Sequence, residues 1–253
     1  MIIDAHVHLP AGEAFRDLNA KKERLLREMD RNGVDRCVVI ADSWPESDIG
    51  ATDEVAGLFP GRADSRVSVV GGISPLVAYE DGLAKLRRHL DRGQLVGSKL
   101  ATGHEAFDLT DERLTEVYEM AMACDVPVLF HSGWDDPQYG DADVALKVAE
   151  RYPGLRLVCC HCWYPDIERC MRVIDCPNVC FDLSSVADNE GILDAIAGHV
   201  KGLITHAPDR VMFGSDSFGC DMAAHIRFVR GLNQSPEIER KVFADNARTI
   251  YRL

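Results

Sequence analysis

A single (β/α)8 (TIM) barrel with one extra C-terminal helix, in the α/β class, is predicted by three features of the sequence. The chain has 253 residues, the size of one such barrel. Short runs rich in Val, Ile, Leu and Cys alternate eight times with longer stretches of helical apolar spacing. No repeat, low-complexity segment or Gly/Ser linker divides the chain, so residues 1–253 read as one domain. A doubly wound open sheet is the alternative arrangement of the same units.

Strands are expected near 2–7 (IIDAHV), 35–41 (DRCVVIA), 67–73 (VSVVGGI), 95–100 (LVGSKL), 126–131 (VPVLFH), 155–160 (LRLVCC), 178–183 (NVCFDL) and 210–214 (RVMFG). Each is a short apolar run, as strands buried on both faces require. Between them, charged faces alternate with apolar positions at helical spacing near 19–32, 51–59, 77–92, 110–124, 141–151, 165–174, 189–199 and 220–231. A last amphipathic stretch runs from 236 to 251. Thr110 reads as a helix cap, and Ser235-Pro236 places proline at a first helical position.

The 28 basic and 41 acidic side chains leave a net charge of −13. That balance argues against broad binding to nucleic acid or to an anionic membrane, both of which need positive charge, and leaves a small molecule as the expected partner. No apolar run approaches the roughly 18–20 residues of a membrane span, and the N-terminus carries no leader pattern. A cytoplasmic protein is expected, with a homo-oligomer left open. The 9 cysteines form no disulfide framework and are read as reduced. Cys159, Cys160 and Cys162 surround His161 without a second Cys pair, so they are read as small core residues rather than a thiolate metal site.

In a barrel the C-terminal strand ends form one rim, where catalytic groups converge. Strand one ends in His6-Val7-His8, whose period-two spacing points both imidazoles to one side. Lys99 ends strand four, His131 strand five, His161 strand six and Asp216 strand eight. A lone histidine at a strand end is more often structural than a ligand. Four histidines and an aspartate on one rim are the nitrogen and oxygen donors that zinc and related divalent ions take.

With those residues in place, the sequence resembles the amidohydrolase superfamily, in its amidohydrolase-related (amidohydrolase 2) branch of metal-dependent barrel hydrolases and decarboxylases. The likeness runs through IDAHVHL, GSKLATG, VLFHSG, LVCCHCW, FDLSS, MFGSDS and the closing DNARTIYRL. It implies that His6, His8, His131 and Asp216 hold a catalytic divalent metal, zinc being the ion expected and one ion the expected number. It further implies Asp216 as general base and His161 beside the metal, orienting a carbonyl and stabilising the oxyanion, or else binding a second ion with Lys99. In binuclear relatives a lysine at that strand end carries a bridging carbamate. Lys99 otherwise pairs with an acid, since an ammonium repels a cation.

The expected chemistry is attack on an amide, ester or lactone carbonyl by metal-activated water. Non-oxidative decarboxylation of a small carboxylated substrate is the alternative, and a catalytically inactive metal-binding barrel the third reading. Trp44, Trp134 and Trp163 each come just after a strand and, with His104, are the expected substrate-binding residues. Asp135, Asp136, Asp141 and Asp143 read as a solvated acidic loop and a helix start. His89, His199, His206 and His225 lie away from the rim and are read as surface residues.

Overall fold

The computed structural model describes residues 1–12, 17–60, 65–133 and 139–253. Eight parallel strands are hydrogen-bonded in chain order: β1 (Ile3–Val7), β2 (Arg36–Ile40), β3 (Val67–Gly72), β4 (Gly97–Leu100), β5 (Val128–Phe130), β6 (Leu157–Cys159), β7 (Val179–Asp182) and β8 (Val211–Met212). The ring closes where Ala5 N donates to Phe213 O at 2.9 Å and Asp216 N to His6 O at 2.9 Å. Closure leaves no sheet edge, which settles the architecture as a barrel rather than an open sheet.

The intervening α-helices are α1 (Leu18–Asn32), α2 (Thr52–Leu58), α3 (Tyr79–Asp91), α4 (Thr115–Ala123), α5 (Ala142–Arg151), α6 (Leu193–His206) and α7 (Met222–Gly231). The chain ends with α8 (Pro236–Arg240), a π-helical turn (Lys241–Asp245) and α9 (Asn246–Tyr251). The expected helix near 165–174 is a 3₁₀ helix, Ile167–Arg172, and the one near 189–199 runs on to His206. Ser235 caps α8 as expected, its Oγ accepting from Ile238 N at 3.3 Å. At the other start the cap is Asp111, not Thr110: its Oδ1 accepts from Arg113 N at 3.0 Å.

Two apolar cores result from strand alternation. Outward residues such as Val39, Val69, Phe130 and Phe181 pack under the helices. Inward residues Ile3, Ala5, Val38, Ile40, Val70, Leu129, Val158, Cys160, Cys180 and Met212 fill the barrel. Ala244, Ala247, Ile250 and Tyr251 join this inner cluster, so the C-terminal segment plugs the N-terminal mouth and leaves the opposite rim open for chemistry. Cys159 and Cys160 fall in different clusters, as small core residues on opposite faces would.

Two of the four outlying histidines correct the surface reading. His89 is buried because Asp53 Oδ1 (2.6 Å) and Gln94 Oε1 (2.9 Å) satisfy its ring. His225 is buried with Nδ1 donating to Asp221 O at 2.9 Å and Nε2 accepting from Ala187 N at 3.2 Å. Both rings fill interior space once both nitrogens are partnered. His199 and His206 are exposed.

Candidate active site

The rim is assembled by β1 and the turn after β8. The register of β1 on β2 slips between Asp4, opposite Cys37, and Val7, opposite Val39. A bulge of this kind re-aims side chains, and here it accompanies the convergence of His6 and His8. Asp216 adopts a left-handed backbone (φ 60°), and its amide bond to His6 O draws it against β1. Asp4, buried beneath, accepts from His6 N at 3.2 Å and Ser215 N at 2.9 Å and so ties the two segments together. Burial pushes the Asp4 carboxyl up to about 7.

His6 Nε2 and His8 Nε2 lie 3.3 Å apart. Asp216 Oδ1 is 3.5 Å from the first and 3.2 Å from the second. The other ring nitrogens fix the tautomers. His6 Nδ1 faces Asp182 Oδ2 at 2.9 Å and His8 Nδ1 faces Ile40 O at 3.1 Å. A carboxylate and a carbonyl can only accept, so each Nδ1 carries the hydrogen and each Nε2 presents a lone pair. Three acceptors therefore converge, an arrangement that repels itself unless a cation sits among them. Two imidazole nitrogens and a carboxylate oxygen are a donor set that suits a divalent metal such as zinc.

Burial works against the Asp216 carboxylate, and its carboxyl is held well below the usual range only where the His8, His161 and His6 rings carry protons; with those rings neutral, a cation must supply that positive charge. Asp216 Oδ2 accepts from Ser185 Oγ at 2.7 Å. Burial likewise opposes ionisation of Asp182, yet the His6 and His161 imidazoles and the hydrogen bonds from His6 and Ser184 keep it below the ordinary carboxylate range. Asp182 thereby holds the His6 ring in orientation, as a carboxylate does behind an imidazole that is to ligate a metal. Asp182→Asn is expected to weaken divalent-metal affinity by about 10–100-fold with the fold intact, read by competition with a chelating dye. Unchanged affinity would refute that orienting role.

His161 sits just past β6 in a left-handed conformation (φ 64°). Ser184 Oγ donates closely to Asp182 Oδ1 and so accepts from His161 Nδ1 at 2.8 Å. Its Nε2 is then the lone-pair nitrogen. Burial, reinforced by neighbouring His131, drives the His161 pKa well down, so the ring is neutral. His131 stands beside it, ring centroids 4.7 Å apart, and 3.9 Å from the His104 ring. His6, Cys160 and Asp182 form a second close group. There burial pushes the Cys160 thiol well up, and His6 Nδ1 and Asp182 Oδ2 already satisfy each other at 2.9 Å.

These residues open onto a cavity of about 360 Å³ lined by His8, Asp216, His131, His161, Lys99 and His104, with Trp44 and Ile49 on its apolar side. Lys99 is only 9% exposed, lines the cavity and has the buried Cys160 thiol beside its amine. Trp163 does not line this cavity. It is buried against Phe130 (centroids 5.8 Å) with Nε1 donating to Gly140 O at 2.5 Å, because the turn at 161–163 folds its ring inward. Trp134, Asp135 and Asp136 fall outside the described residues. Asp141 caps α5, accepting from Asp143 N at 2.7 Å, a structural role. Asp182, Ser184, Asp42 and Glu105 were not singled out from sequence. The first two were legible as the polar end of strand seven (FDLSS), whereas nothing in the local pattern marks Asp42 or Glu105.

No curated protein sequence matches the chain. Among solved structures, an uncharacterized TIM-barrel protein from Bordetella bronchiseptica superposes with a TM-score of 0.79 at 19% identity, covering 99% of this chain and 98% of that one. A putative 2-pyrone-4,6-dicarboxylic acid hydrolase from Pseudomonas putida gives 0.72 at 18% identity, with 99% and 97% covered. A 2,6-dihydroxybenzoate decarboxylase from Rhizobium gives 0.71 at 14%, with 99% and 98% covered. At such identities the likeness establishes the barrel fold. The family model described as Amidohydrolase matches residues 3–253, and the chain belongs to that metal-dependent enzyme family.

Proposed function

We propose that the chain is a metal-dependent hydrolase of a small amide, ester or lactone. The observation that carries this reading is the trio of lone pairs on His6, His8 and Asp216, the last two lining a cavity sized for a small molecule. His131, from the β5 strand end, is the fourth ligand in this reading, and zinc the ion that suits the set. When bound, the ion supplies Lewis acidity that brings the pKa of a water toward about 7 and polarises a carbonyl.

The chain's own groups do the rest. Asp216, anionic and braced by Ser185, takes the proton from the attacking water and returns it to the leaving group. Neutral His161 has Nδ1–H committed to Ser184, so its Nε2 is an acceptor in the resting state and serves as a ligand or proton acceptor. This tautomer favours that role over the oxyanion donor expected from the resemblance, which requires a proton on Nε2. Asp182 and Ser184 hold both rings in place.

A second reading, non-oxidative decarboxylation, draws support from Lys99, a buried amine lining the cavity that could grip a carboxylate. Asp42 and Glu105, which line the same cavity, weigh against a carboxylated substrate. The test is turnover of small esters, lactones and aromatic carboxylates by zinc-loaded enzyme in heavy-oxygen water. Label in the product acid is the expected result. Carbon dioxide release without label would replace hydrolysis by decarboxylation, and no turnover of any compound would favour the metal-binding barrel without catalysis.

A further inference from the structure

Glu105 is the buried acid of the cavity wall. The turn after β4 brings it there: Gly103 takes a left-handed φ of 88°, and Glu105 N returns to Ala101 O at 3.0 Å. The side chain is only 9% exposed and is gripped by two hydroxyls, Ser43 Oγ on Oε1 at 3.1 Å and Ser74 Oγ on Oε2. Ser43 has a single proton, and Asp42 Oδ1 competes for it at 3.3 Å. A carboxylate offers about four lone-pair sites, so Glu105 is short of donors. Among the described residues no Lys, Arg or His nitrogen comes within 4.0 Å of it. A desolvated carboxylate without a cation or a full set of donors is costly to keep, and such groups are retained where a ligand completes them.

Lys99 is the complementary deficit. Lys99 lines the same cavity, nine-tenths buried, and its amine has the Cys160 thiol beside it, a weak acceptor that leaves donors over for a ligand. The cavity thus holds the under-supplied acceptors of Glu105 and the Lys99 amine, whose neighbour Cys160 is a weak acceptor, with Ile40, Ile49 and Trp44 also lining it. A ligand that satisfies both is bipolar. It presents an oxygen acceptor toward Lys99 and the metal ligands, an apolar body against Ile40, Ile49 and Trp44, and a hydrogen-bond donor toward Glu105.

We propose that Glu105 is a specificity-determining residue that selects small substrates whose end remote from the reacting carbonyl carries an amine or hydroxyl, and that disfavours a carboxylate there. Ser43 and Ser74 fix the Glu105 rotamer and leave its remaining lone pairs for the substrate. The inference deepens the metal-anchored site proposed above and rests on it for the position of the reacting end. Rejection of a remote carboxylate comes from like-charge repulsion in a desolvated wall, selection of a donor from the unfilled lone pairs.

The test measures binding rather than turnover. Zinc-loaded protein is titrated calorimetrically with benzohydroxamate, whose hydroxamate seeks the metal, and with its 3-aminomethyl, 3-hydroxymethyl and 3-carboxy derivatives. The aminomethyl and hydroxymethyl compounds are expected to bind at least about tenfold tighter than the carboxy compound, the worth of one hydrogen bond to a charged group. Glu105→Gln keeps the shape and is expected to erase most of the aminomethyl preference while leaving the parent compound unchanged, which also reports an intact fold. A larger loss for the amine than for the alcohol would mark the remote group as cationic, and equal losses would mark it as hydroxyl.

Equal binding of all derivatives, or a preference that survives in both Glu105→Gln and Glu105→Ala, would overturn the proposal. A metal-free arm separates it from the metal reading: benzylamine against benzoate, monitored by saturation-transfer NMR on chelator-treated protein. A benzylamine signal that vanishes in Glu105→Gln supports the assignment even where hydroxamates fail to bind. A benzoate signal equal to that of benzylamine refutes it.

Discussion

Asp216→Ala is expected to lose its metal while keeping its fold. The substitution removes the anionic oxygen that, among the described residues, faces His6 Nε2 at 3.5 Å and His8 Nε2 at 3.2 Å, and with it charge that would balance a divalent ion. Losing a ligand outweighs losing the partner behind a ligand, so affinity should fall by more than about 100-fold. Elemental analysis of protein purified without chelators should give about one zinc-like ion per wild-type chain, nearly none for Asp216→Ala, and about one for Lys99→Ala. Two ions in the wild type, falling to one in Lys99→Ala, would instead establish a second ion held through Lys99 and His161. Wild-type metal content in Asp216→Ala would remove the proposed mechanism, since the base and the ligand are the same carboxylate.

Tyr251→Ala is expected to be the most destabilising single change outside the rim. Tyr251 is fully buried in the plug that fills the barrel's inner core with Ala244, Ala247 and Ile250, and its hydroxyl reaches Ala5 O at 3.4 Å. Truncating a buried aromatic leaves a cavity that a closed ring of strands cannot collapse to fill, at a cost of about 3–5 kcal/mol. Urea unfolding monitored by circular dichroism measures it. Tyr251→Phe keeps the ring and gives up a long hydrogen bond, so less than about 1 kcal/mol should be lost. A Tyr251→Ala loss below about 1 kcal/mol would mean that the plug contributes little to stability.

The strands were the most legible part of the chain because each is buried on both sides and so reads as a continuous apolar run. All eight lie inside the expected segments, from Ile3–Val7 to Val211–Met212. Helix character was weaker where tertiary contacts take over: residues 167–172 form a 3₁₀ helix wedged between the turn that carries His161 and the helices α5 and α6. His6, His8, His131, His161, Lys99 and Asp216 were legible because a barrel sends every strand end to one rim. Trp163 was misplaced by the same rule, since its position after a strand does not say which way a turn directs its ring.

The sequence alone determined the number and order of the strand–helix units, the rim that carries the polar strand ends, and the residue types able to hold a metal. These are local properties, encoded in apolar periodicity and in the polar residues that end each run. Tertiary structure alone decided the tautomers of His6, His8 and His161, through Asp182, Ile40 O and Ser184, and the pairing of Ser43 and Ser74 with Glu105. Those contacts join residues 23 to 176 positions apart in the chain. Their hydrogen-bond partners, burial and charge balance exist only once the ring of strands has closed, because desolvation and directional bonding are properties of the assembled site and not of any segment.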